Sequence, residues 1–312
     1  MLALPDVSLL CLDTRHPDLA LKAMQRCLDR ARFREAVLLT RDGYGSPDPR
    51  ITARAVPTLR NVAEYSHFMV KSLGPYFSGS HVLIMQWDSF IVDPQAWDAA
   101  FLDYDYIGAP WPHRRQPVGN GGFSLRSRRL IDALQDADIR ETQPEDHVIC
   151  LDYHDLLVAR HGIRFAPVDV ASRFAFELTP PKGSTFGFHG FFNFHLAMPD
   201  AELQAWLGPC IGPTAFEVGA DVRAAFCDAP GALGAAAAQC FVARPDAPGK
   251  FLCDLAGLAR LRLQAMGITA IYGNDSTAPW CTVTQASRFF SHRRDSVALG
   301  GSGRFAACIW RG

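Results

Sequence analysis

Several absences narrow the field before any motif is read. No stretch of about 18 consecutive apolar residues occurs, so no transmembrane segment is expected. Lys and Arg number 31 against 32 Asp and Glu. Such a balance gives no global basic field, so neither nucleic acid nor an anionic membrane is expected as a partner. The nine cysteines are odd in number and never fall in a C-x-x-C pair, and they read mainly as reduced core thiols. Histidine nearly vanishes from the second part of the chain, where His292 alone follows Pro199. The opening "MLALPDVSLLCLDT" has no basic n-region and carries Asp6 and Asp13, which makes the cytoplasm the expected location. What the chain has in quantity is apolar surface, 48% of 312 residues, enough for more than one average domain.

The first part alternates strand and helix signals. "VSLLCLDT" reads as a buried strand, "HPDLALKAMQRCLDRA" as a helix with Leu21, Met24, Leu28 and Ala31 in step, and "EAVLLT" as a second strand. A βαβ opening predicts a mostly parallel sheet with flanking helices. After it come a helical "NVAEYSHFMVKSLGPYF", a strand "HVLIMQWD" and a strand "YDYIGAPW". "GNGGFSL" is a glycine loop entering another strand, and "RSRRLIDALQDA" is a helix. "EDHVICLDYHDLLVARHG" reads as one helix stopped by Gly162. "IRFAPVDVASRFAFE" and "TFGFHGFFNFH" are strand-like and rich in aromatics. The texture changes near Pro199, which divides the chain into 1–198 and 199–312; "KFLCDLAGLARLRLQAMGI" in the later part is an amphipathic helix.

Asp88, in "VLIMQWDSFIVDP", interrupts an apolar run at a strand end. In an open α/β sheet that position faces the ligand crevice, where a carboxylate can hold a divalent cation bridging a diphosphate. Asp88 can equally cap the next turn. "QWDSFIVDP", "YDYIGAPW" and "GNGGFSLRSR" together resemble a glycosyltransferase-like family of uncharacterised function, and through it the GT-A class of nucleotide-sugar transferases, over about Val7 to His195.

That resemblance implies a Rossmann-type GT-A-like α/β domain that moves a sugar from a nucleotide-sugar donor to an acceptor, either a small molecule or a glycan. It aligns Gln86-Trp87-Asp88 with the D-x-D triplet whose last Asp binds Mn or Mg. Gln at the first place brings a hydrogen bond but no charge. Gly119, Asn120, Gly121 and Gly122 would form a tight donor-binding loop, the alternative being an ordinary hairpin turn. Glu145-Asp146 matches the acidic pair that supplies a catalytic base, although acids also suit a helix N-terminus. His189 matches a late histidine returned to the metal, and a core role is the alternative; His195 reads as structural.

The second part resembles a different family. "WLGPCIGPTAFEVGADVRAAF", "CDLAGLARLRLQAMGI", "CTVTQASRFFSHRRDS" and "GSGRFAACIW" look like the C-terminal half of the laccase-domain (YfiH) family, whose members are described as polyphenol oxidoreductase or purine nucleoside phosphorylase. The family's metal chemistry lies in segments reading A-D-C and H-A-G-W-R-G, and neither occurs here. Zinc or copper is therefore not expected, and that activity is an alternative reading expected to be inactive. Arg293 and Arg294 match an arginine-bearing stretch suited to phosphate, the alternative being solvated surface. A half domain leaves strand edges free, which opens self-association through the truncated part, or a fused module with no chemistry, as further alternatives.

Overall fold

A computed structural model describes residues 1–198, 204–228, 232–299 and 308–310. The chain divides into two compact units, Met1–Ala197 and Met198–Gly312. Pro199, where the sequence changes texture, lies outside the described residues.

The first unit opens with β1 (Leu2–Leu12), α1 (Pro17–Leu28) and β2 (Ala31–Thr40). Val7 to Leu12 of β1 are all buried, the pattern of a strand covered on both faces. Pro17 starts α1 with its φ already helical, and Ala20, Leu21, Ala23, Met24, Cys27 and Leu28 form its buried face. Next come β3 (Thr52–Ala55), α2 (Val62–His67), β4 (His81–Met85), β5 (Ser89–Ile91), β6 (Tyr106–Ile107) and β7 (Phe123–Ser127). Six strands form one sheet in the order β3-β2-β1-β4-β7-β6. β3, β2, β1 and β4 are parallel, and β7 runs antiparallel to both β4 and β6. The sheet is thus mixed α/β and mostly parallel.

Ser127 caps α3 (Arg128–Ala133) by accepting from the Leu130 N–H at 3.0 Å. The single helix expected over 145–162 is instead broken. α4 (Glu145–His147) passes into a wide π-helical turn over Val148–Asp152 before α5 (His154–His161) begins. That turn buries three consecutive residues, Val148, Ile149 and Cys150, in the core, which the narrow stripe of a regular helix cannot do. Gly162 ends α5 at φ 63°, as expected from its place.

The strand-like reading of 163–177 also fails over α6 (Val168–Phe174), because Val170, Ala171 and Phe174 share a helical face toward the core. There Phe174 packs on Phe101, Phe123 and Phe186. β8 (Ala175–Phe176) and β9 (Gly187–His189) join β5 in a small sheet ordered β5-β9-β8, and α7 (Phe194–Ala197) closes the unit.

The two motif segments "YDYIGAPW" and "GNGG" lie against each other. The Trp111 N–H donates to Pro117 O at 2.7 Å and Gly119 N–H to Ala109 O at 3.3 Å, with a bridge from Pro110 to Val118. Gly108 sits so close to this partner strand that a Cβ would overlap the carbonyl oxygen of Gly119. Likewise, the Trp111 ring occupies the space a Cβ of Gly119 would take.

In the second unit, β10 (Gln204–Leu207), β14 (Ala270–Gly273) and β15 (Cys308–Trp310) make one sheet, with β10 central. β11 (Glu217–Gly219), β13 (Lys250–Cys253) and β12 (Phe241–Ala243) make another. α8 (Ala220–Cys227), α9 (Ala232–Ala238), α10 (Leu255–Ala265) and α11 (His292–Leu299) complete it. Its core is small, centred on Val218, Ala237, Phe241, Cys253 and Leu258.

Backbone cannot yield as a flexible side chain can, so Gly108→Ala is expected to cost about 3 kcal/mol by urea denaturation. Gly183→Ala, where a methyl meets open space, should cost less than about 1 kcal/mol in the same assay.

Candidate functional site

β4 delivers Gln86 and Asp88 at its carboxyl end. The turn is fixed by Ser89, whose hydroxyl accepts from the Gln86 N–H at 2.9 Å and lies 2.9 Å from Gly122 O. Asp88 is buried and its two oxygens are used differently. Oδ2 accepts from the Phe191 N–H at 3.1 Å, so Asp88 caps a turn 103 residues away rather than the next turn. Oδ1 has no hydrogen-bond partner and faces His189 Nε2 at 3.5 Å. Gln86 Oε1 lies 3.2 Å from the same nitrogen, while its amide N–H donates to the Tyr65 hydroxyl at 3.1 Å.

His189 arrives through the antiparallel pairing of β5 with β9, which sets Ser89 opposite His189. Its ring rests on Gly122, where any Cβ would overlap the imidazole. Nδ1 faces Glu177 Oε1 at 2.9 Å and Asn120 Nδ2 at 3.0 Å. Burial lowers the basicity of this ring, but the carboxylates of Asp88 and Glu177 outweigh it and raise the pKa to about 9. Asn120 adopts φ 67°, tolerable for Asn, and its Oδ1 accepts from the N–H groups of Gly122 and Phe123 at 3.0 and 3.2 Å. The Tyr106 hydroxyl donates to Asn120 O at 3.0 Å. The glycine loop is therefore a built cradle rather than a plain turn.

The acidic pair divides. Glu145 is buried in an ion pair with the fully buried Arg126 at 2.8 Å, under a Gly121 that has no room for a side chain. Burial pushes its pKa up against the pull of Arg126. Arg126 also donates to Ser124 Oγ at 3.1 Å, and its Nη1 has no hydrogen-bond partner. Asp146 is half-buried and lines a cavity of about 290 Å³ together with Gln86, Asn120, Glu177 and His189. A larger, open depression of about 740 Å³ lies around His81 at the other end of β4. There the Asp105 carboxylate accepts from Ser127 Oγ and from the Arg164 N–H.

The buried Asp88 carboxylate, the half-buried Gln86 amide oxygen and one imidazole nitrogen are donor types that fit a divalent cation. No group of three His, Cys, Asp or Glu arranged to hold a metal occurs among the described residues. Gln86, Asp88 and His189 meet at one point, with Gln86 Oε1 and Asp88 Oδ1 3.2 and 3.5 Å from His189 Nε2. The sequence reading missed Glu177, Arg126 and Tyr65. Glu177 closes the aromatic run "RFAFE", which is a faint signal; nothing in sequence marks the other two.

In the second unit Arg294 is spent on structure. It donates to the carbonyls of Thr282, Val283 and Phe289 at 2.7–2.8 Å and to both oxygens of Asp295, which leaves it unsuited to the phosphate role expected from its motif. Arg293 is exposed, donates to Glu217 O at 3.0 Å and lies over the Phe216 ring at 5.4 Å. His195 is half-buried, with Nδ1 2.9 Å from Phe192 O.

Comparison with known proteins separates the two parts. Residues 192–312 match the family described as multi-copper polyphenol oxidoreductase laccase. Residues 50–189 match a protein family of unknown function, DUF5672. A purine nucleoside phosphorylase of Pseudomonas aeruginosa is 45% identical over 115 residues, 37% of this chain and 42% of that protein. The chain spans about two fifths of the length of the curated relatives it matches. Among solved structures, the Neisseria meningitidis protein NMB0706 is 44% identical, covering 36% of this chain and 41% of its own, with a TM-score of 0.30. The galactosyltransferase LgtC, solved with donor and acceptor sugar analogues, is 12% identical, covering 58% and 86%, with a TM-score of 0.37. The laccase-domain likeness expected of the second part is thus found.

Because its pKa is raised, protonated His189 stabilises the folded chain fully below about pH 6.5. That contribution is expected to disappear as pH rises through about 9. Melting temperatures of the cation-free protein between pH 6 and 9.5 should fall more steeply than those of His189→Gln.

Proposed function

We propose that the first unit is a sugar transferase that takes a nucleotide-sugar donor in the cavity beside Asp88. The observation that carries this reading is the meeting of Gln86, Asp88 and His189, with a buried carboxylate oxygen that has no hydrogen bond and only the His189 ring beside it, at the carboxyl end of a parallel strand. Those three side chains would hold a divalent cation, Mn or Mg, which when bound neutralises the charge of a donor diphosphate. Gly121 and Gly122, lacking side chains, let Glu145 and His189 pack directly on the loop backbone at the edge of that cavity. Both acids border the cavity, and Asp146 takes the proton from the attacking acceptor hydroxyl because Glu145 is buried and held by Arg126.

A second reading attaches to the other unit, favoured by the 45% identity of 115 residues to a purine nucleoside phosphorylase. It predicts nucleoside binding there. His292 is the only histidine after Pro199, which supports binding without the metal chemistry of the laccase-domain segments absent from this chain.

A thermal-shift series of the intact protein with nucleotide sugars, nucleosides and phosphate, each with and without Mn²⁺, tests both. A nucleotide sugar that raises the melting temperature only with Mn²⁺, and fails to do so in Asp88→Asn, is the expected result. Stabilisation by nucleosides alone, unaffected by Asp88→Asn, would transfer the function to the second unit.

Two further substitutions separate the acidic pair. Asp146→Asn should lower turnover about 10²–10⁴-fold with donor binding intact. Glu145→Gln should instead lower stability by about 3–5 kcal/mol in urea denaturation, since it strands the buried Arg126 charge.

A further inference from the structure

We infer that Glu177 is a positioning residue that presents His189 to the cation and replaces, through the imidazole, the negative charge that Gln86 fails to supply. The inference rests on reading Gln86, Asp88 and His189 as a cation half-site. The two edges of the His189 ring face different groups. Nε2 looks toward Asp88 Oδ1 at 3.5 Å and Gln86 Oε1 at 3.2 Å; Nδ1 looks toward Glu177 Oε1 at 2.9 Å. A carboxylate on Nδ1 orients the ring and holds the proton there, so that Nε2 is the nitrogen that gives up its proton to a metal.

Asn120 makes the need for Glu177 specific. Its Oδ1 is committed to two backbone N–H groups, so its Nδ2, 3.0 Å from Nδ1, can only donate. Donation from Asn120 requires a bare Nδ1 and hence, in the neutral ring, a proton on Nε2, which would close that nitrogen to a cation. Glu177 and Asn120 therefore compete for one ring nitrogen, and Glu177 selects the tautomer that binds. Glu177 is itself held near the site by its own backbone, whose carbonyl accepts from Asn193 Nδ2 at 2.9 Å, while the same amide donates to His189 O at 2.8 Å.

The test is Mn²⁺ binding to the intact protein without substrate, by electron paramagnetic resonance titration, with electron-spin-echo modulation reporting imidazole nitrogen on the bound ion. Glu177→Ala should weaken Mn²⁺ binding about 10–100-fold and diminish the nitrogen modulation. Glu177→Gln, which keeps shape and an acceptor oxygen but no charge, should fall between that variant and the parent, and it serves if the alanine variant does not fold. Parent-like affinity in either folded variant overturns the inference. If Asp88→Ala abolishes binding while Glu177 variants leave it unchanged, the inference fails alone. If the parent protein binds no Mn²⁺, the inference and the cation reading fail together.

Discussion

At Gly122 the backbone and the imidazole of His189 share a space that a single Cβ would fill, and the arrangement of the candidate site follows from that close approach. The ring can lie there only because β7 enters the sheet directly after the glycine, beside β4, and because β5 pairs with β9 to return His189 across from Ser89. Ser89 ties the pieces together, with its hydroxyl within 3.1 Å of the backbone of Gln86 and Gly122. Three segments far apart in sequence are thereby held to one point, and the side chains at that point need little freedom to meet a ligand.

Buried charge is the second organising feature. Arg126 is wholly removed from water, which is costly unless the charge is paired. Glu145 supplies the pair, Ser124 a hydrogen bond and the Tyr106 ring a face at 5.6 Å. This ion pair occupies the carboxylate that sequence spacing alone would rank equal with Asp146 as a base. Removal from water has a different consequence at His189, where two carboxylates overcome it and raise the basicity of the ring.

The two units differ in where the fold places their motif residues. In the first, each singled-out segment is found at the cavity or packed against it: "QWD" at the end of β4, "GNGG" beneath the ring, "IGAPW" against the loop. In the second, the arginine motif serves mainly to tie chain to chain, for Arg294 holds three carbonyls together with Asp295. A guanidinium with five donors stabilises a loop as readily as it binds an anion, and the motif cannot tell the two apart.

The sequence by itself determined the α/β class, the βαβ opening, the amphipathic α1, the Gly162 stop and the positions of Asp88 and the glycine loop. These depend on short-range patterns of apolar spacing and on residues with special backbone freedom. Tertiary structure alone decided that 145–162 breaks into a wide turn, that 168–174 is helical, and that Glu145 is sequestered while Asp146 is not. It alone brought Glu177 to the far side of His189. Those outcomes depend on which groups a residue meets across 12 to more than 100 positions of chain, and burial, pairing and available space are fixed only once the chain has packed.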